Sequence, residues 1–163
     1  MNDLLKACIT GRLRKVKIEV EKGVDIHINN EEALIGACTY GHLDVVEYLI
    51  GKGADIHVSN EESLRFACMN GYLHIAKILI KKGANIQIDN NLILKQTSEN
   101  DRFHVVKLLV ENGGDINVCT QKHQKELRKI IQGKRDETSK TLLNTSNMYK
   151  DVIGIVQDYI NVF

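Results

Sequence analysis

Apolar positions along the chain fall in short helical groups that stop at glycines. Leu34, Ala37 and Cys38 stand at i, i+3 and i+4 ahead of Gly41, the spacing of an amphipathic helix ended by glycine. Leu43, Val46, Leu49 and Ile50 repeat that spacing before Gly53, which predicts a second helix and then an extended segment from Ala54 to Val58. The pattern recurs every 30 residues. Gly23, Gly53, Gly83 and Gly113 precede Asp25, Asp55, Asn85 and Asp115, which precede Ile26, Ile56, Ile86 and Ile116. Gly11, Gly41 and Gly71 keep the same step, and Asp101 takes the fourth place. Asp also visits the left-handed conformation that a helix-ending turn needs. Each unit thus reads helix, tight turn, helix, loop. A unit this small cannot bury both faces alone, so the units are expected to stack into an all-α solenoid.

Small residues sit at the inward positions of the first helices, Ala7 and Cys8, Ala37 and Cys38, Ala67 and Cys68, where they let neighbouring units approach closely. Asn29-Asn30-Glu31-Glu32 and Ser59-Asn60-Glu61-Glu62 place a capping side chain three residues ahead of a glutamate, which predicts a capped helix start. After Asp115 the register changes. Leu127, Ile130 and Ile131 copy the spacing of Leu34, Ala37 and Cys38, but Leu127 lies 33 residues after Leu94. Gly133 is expected to end that helix, and Lys134 to Ser146 is polar apart from Leu142 and Leu143. Met148, Val152, Ile155, Val156, Tyr159 and Phe163 then mark one stripe of a final helix. Residues 121–163 read as a divergent fifth repeat with an insertion, serving as a C-terminal cap.

The segments "YGHLDVVEYLIGKGADIHV" and "NGYLHIAKILIKKGANIQI" resemble the second half of an ankyrin repeat, and the resemblance runs over residues 1–120 as four repeats of 30 residues. It implies helix-turn-helix units with short hairpin fingers and a protein-binding role without catalysis. The family's Thr-Pro-Leu-His opening keeps only its leucine, reading Glu32-Ala33-Leu34-Ile35, Glu62-Ser63-Leu64-Arg65 and Leu92-Ile93-Leu94-Lys95. The usual period is about 33 residues, so the shortening falls in the fingers between units, and the last finger regains full length. Units without proline and rich in Asn, Ile and Lys are similar to the ankyrin proteins of giant viruses that infect amoebae.

Composition narrows the function classes. The chain of 163 residues is 43% hydrophobic and 26% charged, the profile of a folded domain. No proline or tryptophan and only 5% aromatic residues argue against a β-sandwich or barrel. Lys and Arg total 22 against 21 Asp and Glu, so the basic excess that drives nucleic-acid binding is missing. Asp3, Arg12, Arg14 and Lys15 interrupt the N-terminal region, and no run approaches the ~20 apolar residues of a membrane span. A cytoplasmic protein, in the host cytoplasm if viral, is expected, and its four cysteines are expected to be reduced.

Candidate chemistry is thin. His27 and His57 are equivalent finger positions, and His74 and His104 equivalent helix starts; with His42, His123 and the cysteines they are the metal candidates. Stacked repeats sit ~10 Å apart, too far for shared ligation at ~2.1 Å, so no metal or cofactor is expected. Cys8, Cys38 and Cys68 fall on the buried stripe as small hydrophobes. Cys119 falls in a finger and is expected to be exposed, with Asp115 raising its pKa. Gly133-Lys134 and Gly113-Gly114 lack the patterns of phosphate-binding loops. The basic run Lys122, Lys125, Arg128, Lys129, Lys134 and Arg135 reads first as the solvated face of a capping helix.

The ankyrin resemblance implies a concave binding face made of the finger tips and the exposed ends of the first helices. By aligned position it selects Thr39, Tyr40, Met69, Asn70, Glu99 and Asn100 on the helices, and Asn30, Glu31, Asn60, Glu61, Asn90 and Asn91 at the fingers. Tyr40 and Met69 are the expected anchors, with Glu31 and Glu61 as rim charges. The implied partner is a protein held by a monomer; the alternative is an adaptor that recruits substrates to a host ubiquitin ligase, docking through residues 134–163. The periodic stripe also yields a stability test. Leu49→Ala is expected to cost about 2–5 kcal/mol and Glu47→Ala no more than about 0.5 kcal/mol, measured by urea unfolding; equal losses mean the stripe is assigned to the wrong helix face.

Overall fold

In the computed structural model the backbone is described for residues 2–160 and the side chains for residues 2–141. Among the described residues there are nine α-helices, one 3-10 turn and no strand. The first helices of successive repeats are α1 (Asp3–Ile9), α3 (Ile28–Tyr40), α5 (Val58–Asn70) and α7 (Ile88–Glu99). The second helices are α2 (Leu13–Glu21), α4 (Leu43–Gly51), α6 (Leu73–Lys81) and α8 (Phe103–Glu111). The 3-10 turn Ile116–Val118 leads into α9 (Gln121–Ile160). Residues 1–123 form one compact unit and residues 124–163 another.

In the first unit each first helix packs on the next, and each second helix backs its own first helix. Contacts between first helices are far more extensive than those between second helices, so the row closes more tightly on the first-helix side. The expected stripe is the core: Leu34, Ala37, Cys38, Val46 and Leu49, and their equivalents Leu64, Ala67, Cys68, Ala76 and Leu79, are all fully buried. Glu47 is exposed. Small residues explain the closeness of the first helices, since a Cβ built on Gly36 of α3 would already lie 3.1 Å from Ile9 Cγ1 of α1.

The helix-ending glycines have a second task. Gly41 is left-handed at φ 80°, and the next amide, of His42, donates back to Ala37 O at 3.0 Å, a Schellman-type closure. Residue 42 of the following unit then reaches back over the preceding turn. A Cβ on Gly11 would lie 2.3 Å from His42 Nδ1, one on Gly41 2.4 Å from Tyr72 Cε1, and one on Gly71 3.0 Å from Arg102 Cδ. His42 Nε2 donates to Ile9 O at 2.7 Å and Arg102 Nε to Met69 O at 3.2 Å, so these arms also satisfy helix-end carbonyls of the previous repeat.

The fingers differ from the expected capped, extended segments. Asp25, Asp55, Asn85 and Asp115 each accept through Oδ1 from the amide two residues on, at 2.8–2.9 Å, which turns the chain at once. Three consecutive left-handed residues follow in each of the first three fingers: Asn29, Asn30 and Glu31; Ser59, Asn60 and Glu61; Asp89, Asn90 and Asn91. The capping glutamate of the sequence reading is thus replaced by a left-handed turn, and no side chain caps the start of α3, α5 or α7. Asn and Asp tolerate this conformation because their short side chains bond locally.

The open end of the first repeat is polar. Asp3 and Lys15 occupy the places where later repeats bury Ala33, Ser63 and Ile93, and Val45, Ile75 and Val105. They line a cleft of about 370 Å³ together with Lys6, Ala7, Thr10 and Arg12. At the other end, α9 runs on through Gly133, which does not end it. Leu127 is buried, but Ile131 of the same expected triplet is 41% exposed. The stripe from Met148 to Phe163 lies outside the residues whose side chains are described.

The glycine lock predicts a contrast between two left-handed glycines. A Cβ at Gly41 meets the Tyr72 ring, whereas one at Gly53 meets nothing within 4 Å. Gly41→Ala is therefore expected to destabilise more than Gly53→Ala by about 1–3 kcal/mol, the cost of overpacking, in paired urea titrations; equal losses remove the lock.

Candidate functional site

The first-helix face carries most of the residues that aligned position selected. Tyr40, the last residue of α3, is 55% exposed. Met69 and Thr39 are half-buried, and Asn70, Glu99 and Asn100 are exposed. Asn70 Nδ2 ties the repeats together by donating to Thr39 O at 3.1 Å, while Thr39 Oγ1 donates within its own helix to Ile35 O at 2.7 Å. Asn30, Asn60 and Asn90 are exposed at the left-handed turns, and Asn91 is half-buried. Ile35, Arg65, Phe66, Leu92 and Gln96 are half-exposed on the same helices, and the sequence reading missed them. Their signal was present, since residues 35, 65 and 95, and 36, 66 and 96, share the 30-residue period.

Glu31 and Glu61 are not rim charges. Each is only 3% exposed, folded under by the left-handed turn that brings it against its own finger. His27 Nδ1 meets Glu31 Oε1, and His57 Nδ1 meets Glu61 Oε1 at 2.7 Å, while the Oε2 atoms of both glutamates are buried without a partner. The carboxylates hold both imidazoles above their ordinary pKa, chiefly through these hydrogen bonds, with Asp55 adding to both and Asp25 to His27. In the third finger the equivalents are the neutral Gln87 and Asn91. Gln87 Nε2 donates to Gly113 O at 3.1 Å and the Asp115 amide to Asn91 Oδ1 at 3.2 Å, so this pair bridges to the next finger.

A Ser-His-Asp set appears at the last junction. His123, fully buried, donates from Nε2 to Asp101 Oδ1 at 2.9 Å and faces Ser98 Oγ with Nδ1 at 2.8 Å. Ser98 is itself buried and its Oγ accepts the Thr120 amide at 2.8 Å, so the hydroxyl has no route to a substrate. Asp101 holds Lys122 through both oxygens at 2.8 Å, and that ammonium, with His123 second, keeps the carboxyl below the usual range. Chemically the set is a clamp across the last turn.

Cys119 is 6% exposed, against the expectation of exposure; burial raises its pKa most, and Asp115 adds to the rise. Burial likewise lifts the thiols of Cys8 and Cys38, to about 11 and about 12, and raises that of Cys68, so all are protonated, inert hydrophobes at neutral pH. Among the described residues no three His, Cys, Asp or Glu side chains converge as metal ligands, and no helix is long and apolar enough to cross a membrane.

Comparison with known families settles the architecture. The family profile for ankyrin repeats in many copies matches residues 34–80, and that for ankyrin repeats in three copies matches residues 59–122. Together they cover more than half of the chain. It belongs to the ankyrin repeat family. Ankyrin repeats are in general protein–protein interaction modules and typically non-enzymatic, which gives the exposed first-helix face of this ankyrin array its interest. No curated protein matches the chain.

The two histidine–glutamate pairs of the ankyrin fingers make stability depend on pH. A raised histidine pKa means the stabilisation is complete below the unfolded value of about 6.5 and is lost as pH rises through the higher folded value. The thermal midpoint is expected to fall across that window, and the double change His27→Gln and His57→Gln, which copies Gln87, to flatten the fall. An unchanged slope in the double variant would remove these pairs as its source.

Proposed function

We propose that this ankyrin protein is a non-enzymatic binding module that holds a partner protein on the face formed by its first helices and finger tips. The observation that carries this is the exposed Tyr40 on α3, with half-exposed Met69 and Phe66 on the next first helix, α5, the two helices being tied by the hydrogen bond from Asn70 to Thr39 O. Aromatic and methionine side chains ringed by polar groups are common anchors. A surface fixed in advance also avoids ordering costs on binding. Thr39, Asn70, Glu99, Asn100, Asn60 and Asn90 form the polar surround, and Glu31 and Glu61 act as supports beneath the fingers. The balanced charge favours a protein over a polynucleotide. We place it as a monomer in the cytoplasm, that of an infected amoeba if its likeness to giant-virus ankyrin proteins reflects its source. Residues 121–163 are assigned the cap role. The adaptor reading draws on the same segment, because every residue from 131 to 141 is exposed along α9 and open to a second protein.

The test is affinity capture from host-cell extract with the wild type and the Tyr40→Ala, Met69→Ala variant in parallel. Neither residue is in the buried stripe, so circular dichroism is expected to be unchanged while the partner binds more weakly by over about 2 kcal/mol. A partner captured undiminished by a folded variant moves the site off the first-helix face.

A further inference from the structure

The cleft at the open end of the first repeat gathers Asp3, Lys6, Ala7, Thr10, Arg12 and Lys15 around about 370 Å³. That volume suits a small ligand or a single side chain. Lys6 and Arg12 are exposed, and among the described residues neither the Lys6 ammonium nor the Arg12 guanidinium holds a hydrogen bond or an ion pair. Arg12 stands at the arm position of His42, Tyr72 and Arg102. Arg102 uses its Nε on Met69 O at 3.2 Å, whereas no glycine turn among the described residues receives Arg12, whose donors all stay open to the cleft.

The charge around the cleft is one-sided. Lys15 Nζ lies 2.8 Å from Glu19 Oε1 and 3.8 Å from Asp3 Oδ2, but the same Glu19 oxygen also takes Lys22 Nζ at 3.0 Å. Counting Glu19 and Lys22 with the lining, four cations meet two carboxylates, and two positive charges stay uncompensated. A carboxylate would balance one of them. A phosphate monoester carries about −1.5 to −2 at neutral pH and offers three acceptor oxygens, enough for an arginine fork and an ammonium together.

The cleft also continues the candidate partner face. Thr10 is the first-repeat counterpart of Tyr40, Asn70 and Asn100, and Lys6 that of Phe66 and Gln96. A chain held at Tyr40 and running toward α1 reaches the cleft one repeat on, about 10 Å away. We propose that the first-repeat cleft binds a phosphate monoester on the partner protein, a phosphorylated side chain taken by the Arg12 guanidinium and the Lys6 ammonium, with Lys15 adding its field. This rests on the reading of the first-helix face as the partner surface and makes tight binding there depend on phosphorylation of the partner.

The experiment uses the full chain and a peptide library with a fixed central phosphoserine between random flanks. The best binder is resynthesised with Ser or Glu at that place, and affinities are measured by fluorescence polarisation. Serine is expected to weaken binding by about 10-fold or more, as the loss of hydrogen bonds to charged groups does, and glutamate to recover only part of that. Arg12→Gln and Lys6→Met change exposed residues and are expected to keep the wild-type circular dichroism while the advantage of phosphoserine over serine shrinks several-fold. The Tyr40→Ala, Met69→Ala variant is expected to weaken all three peptides alike. Glutamate as good as phosphoserine, an undiminished phosphoserine advantage in both cleft variants, or a library that yields no binder overturns the proposal. Inorganic phosphate that competes as strongly as the phosphopeptide assigns the cleft to a free ion and overturns the partner's part in it. Binding lost in the Tyr40 and Met69 variant, with the phosphoserine advantage intact in the cleft variants, overturns the proposal while leaving the first-helix face as the partner site. A loss confined to the cleft variants upholds the phosphate site and overturns the Tyr40 reading. Indifference to all the folded variants overturns both.

Discussion

Three successive junctions in this molecule close on a glycine that has no room for a side chain. At Gly11, Gly41 and Gly71 the backbone is left-handed, and the space a Cβ would take is filled by His42, Tyr72 or Arg102 from the next repeat. The arrangement fixes three things together. It ends the first helix, sets the distance to the following unit, and supplies side-chain donors to carbonyls that the ended helix leaves unpaired at the first and third junctions. The close stacking of first helices uses this contact together with the small residues on their facing sides. The fourth junction uses other chemistry: Asp101 replaces glycine, keeps the left-handed backbone, and turns its carboxylate on Lys122 and His123. A steric lock thereby becomes an ionic one where the chain passes into α9.

The repeat architecture was legible because burial and turn chemistry leave periodic marks. Leu34, Ala37, Cys38 and Leu49 had to be apolar and small or large in fixed order, and the glycines had to be glycine. The fingers were legible only in part. Asp25, Asp55, Asn85 and Asp115 stood out as periodic, but their task as turn-closing acceptors depends on the local dihedral path. Glu31 and Glu61 were misplaced for the same reason. A glutamate after two polar residues reads as a surface cap, and nothing in its identity reveals that three left-handed residues roll it under. The end of the helix at Gly133 failed differently, because a glycine ends a helix by taking the left-handed conformation, as Gly41 and Gly53 do, whereas Gly133 keeps the helical backbone of α9.

On the candidate face, the exposed tips Tyr40, Asn70 and Asn100 followed from position in the repeat. The burial of Arg65 Nε and Gln96 Oε1 without hydrogen-bond partners did not, since residue identity does not say which side-chain atoms the stack closes over. Polar atoms left unpaired in an otherwise closed structure carry information that residue identity lacks.

The arm that fills each glycine turn is an imidazole, a phenol ring or a guanidinium, three unlike groups doing one steric job. The socket therefore sets a shared demand for size and reach, to which the first and third arms add a hydrogen bond to a helix-end carbonyl. Unequal crossing-over between gene copies at equal register would join a turn from one unit to an arm from another and still close the stack. Such an array can lengthen or shorten by whole units over generations, changing the extent of its working surface while the seams stay sound.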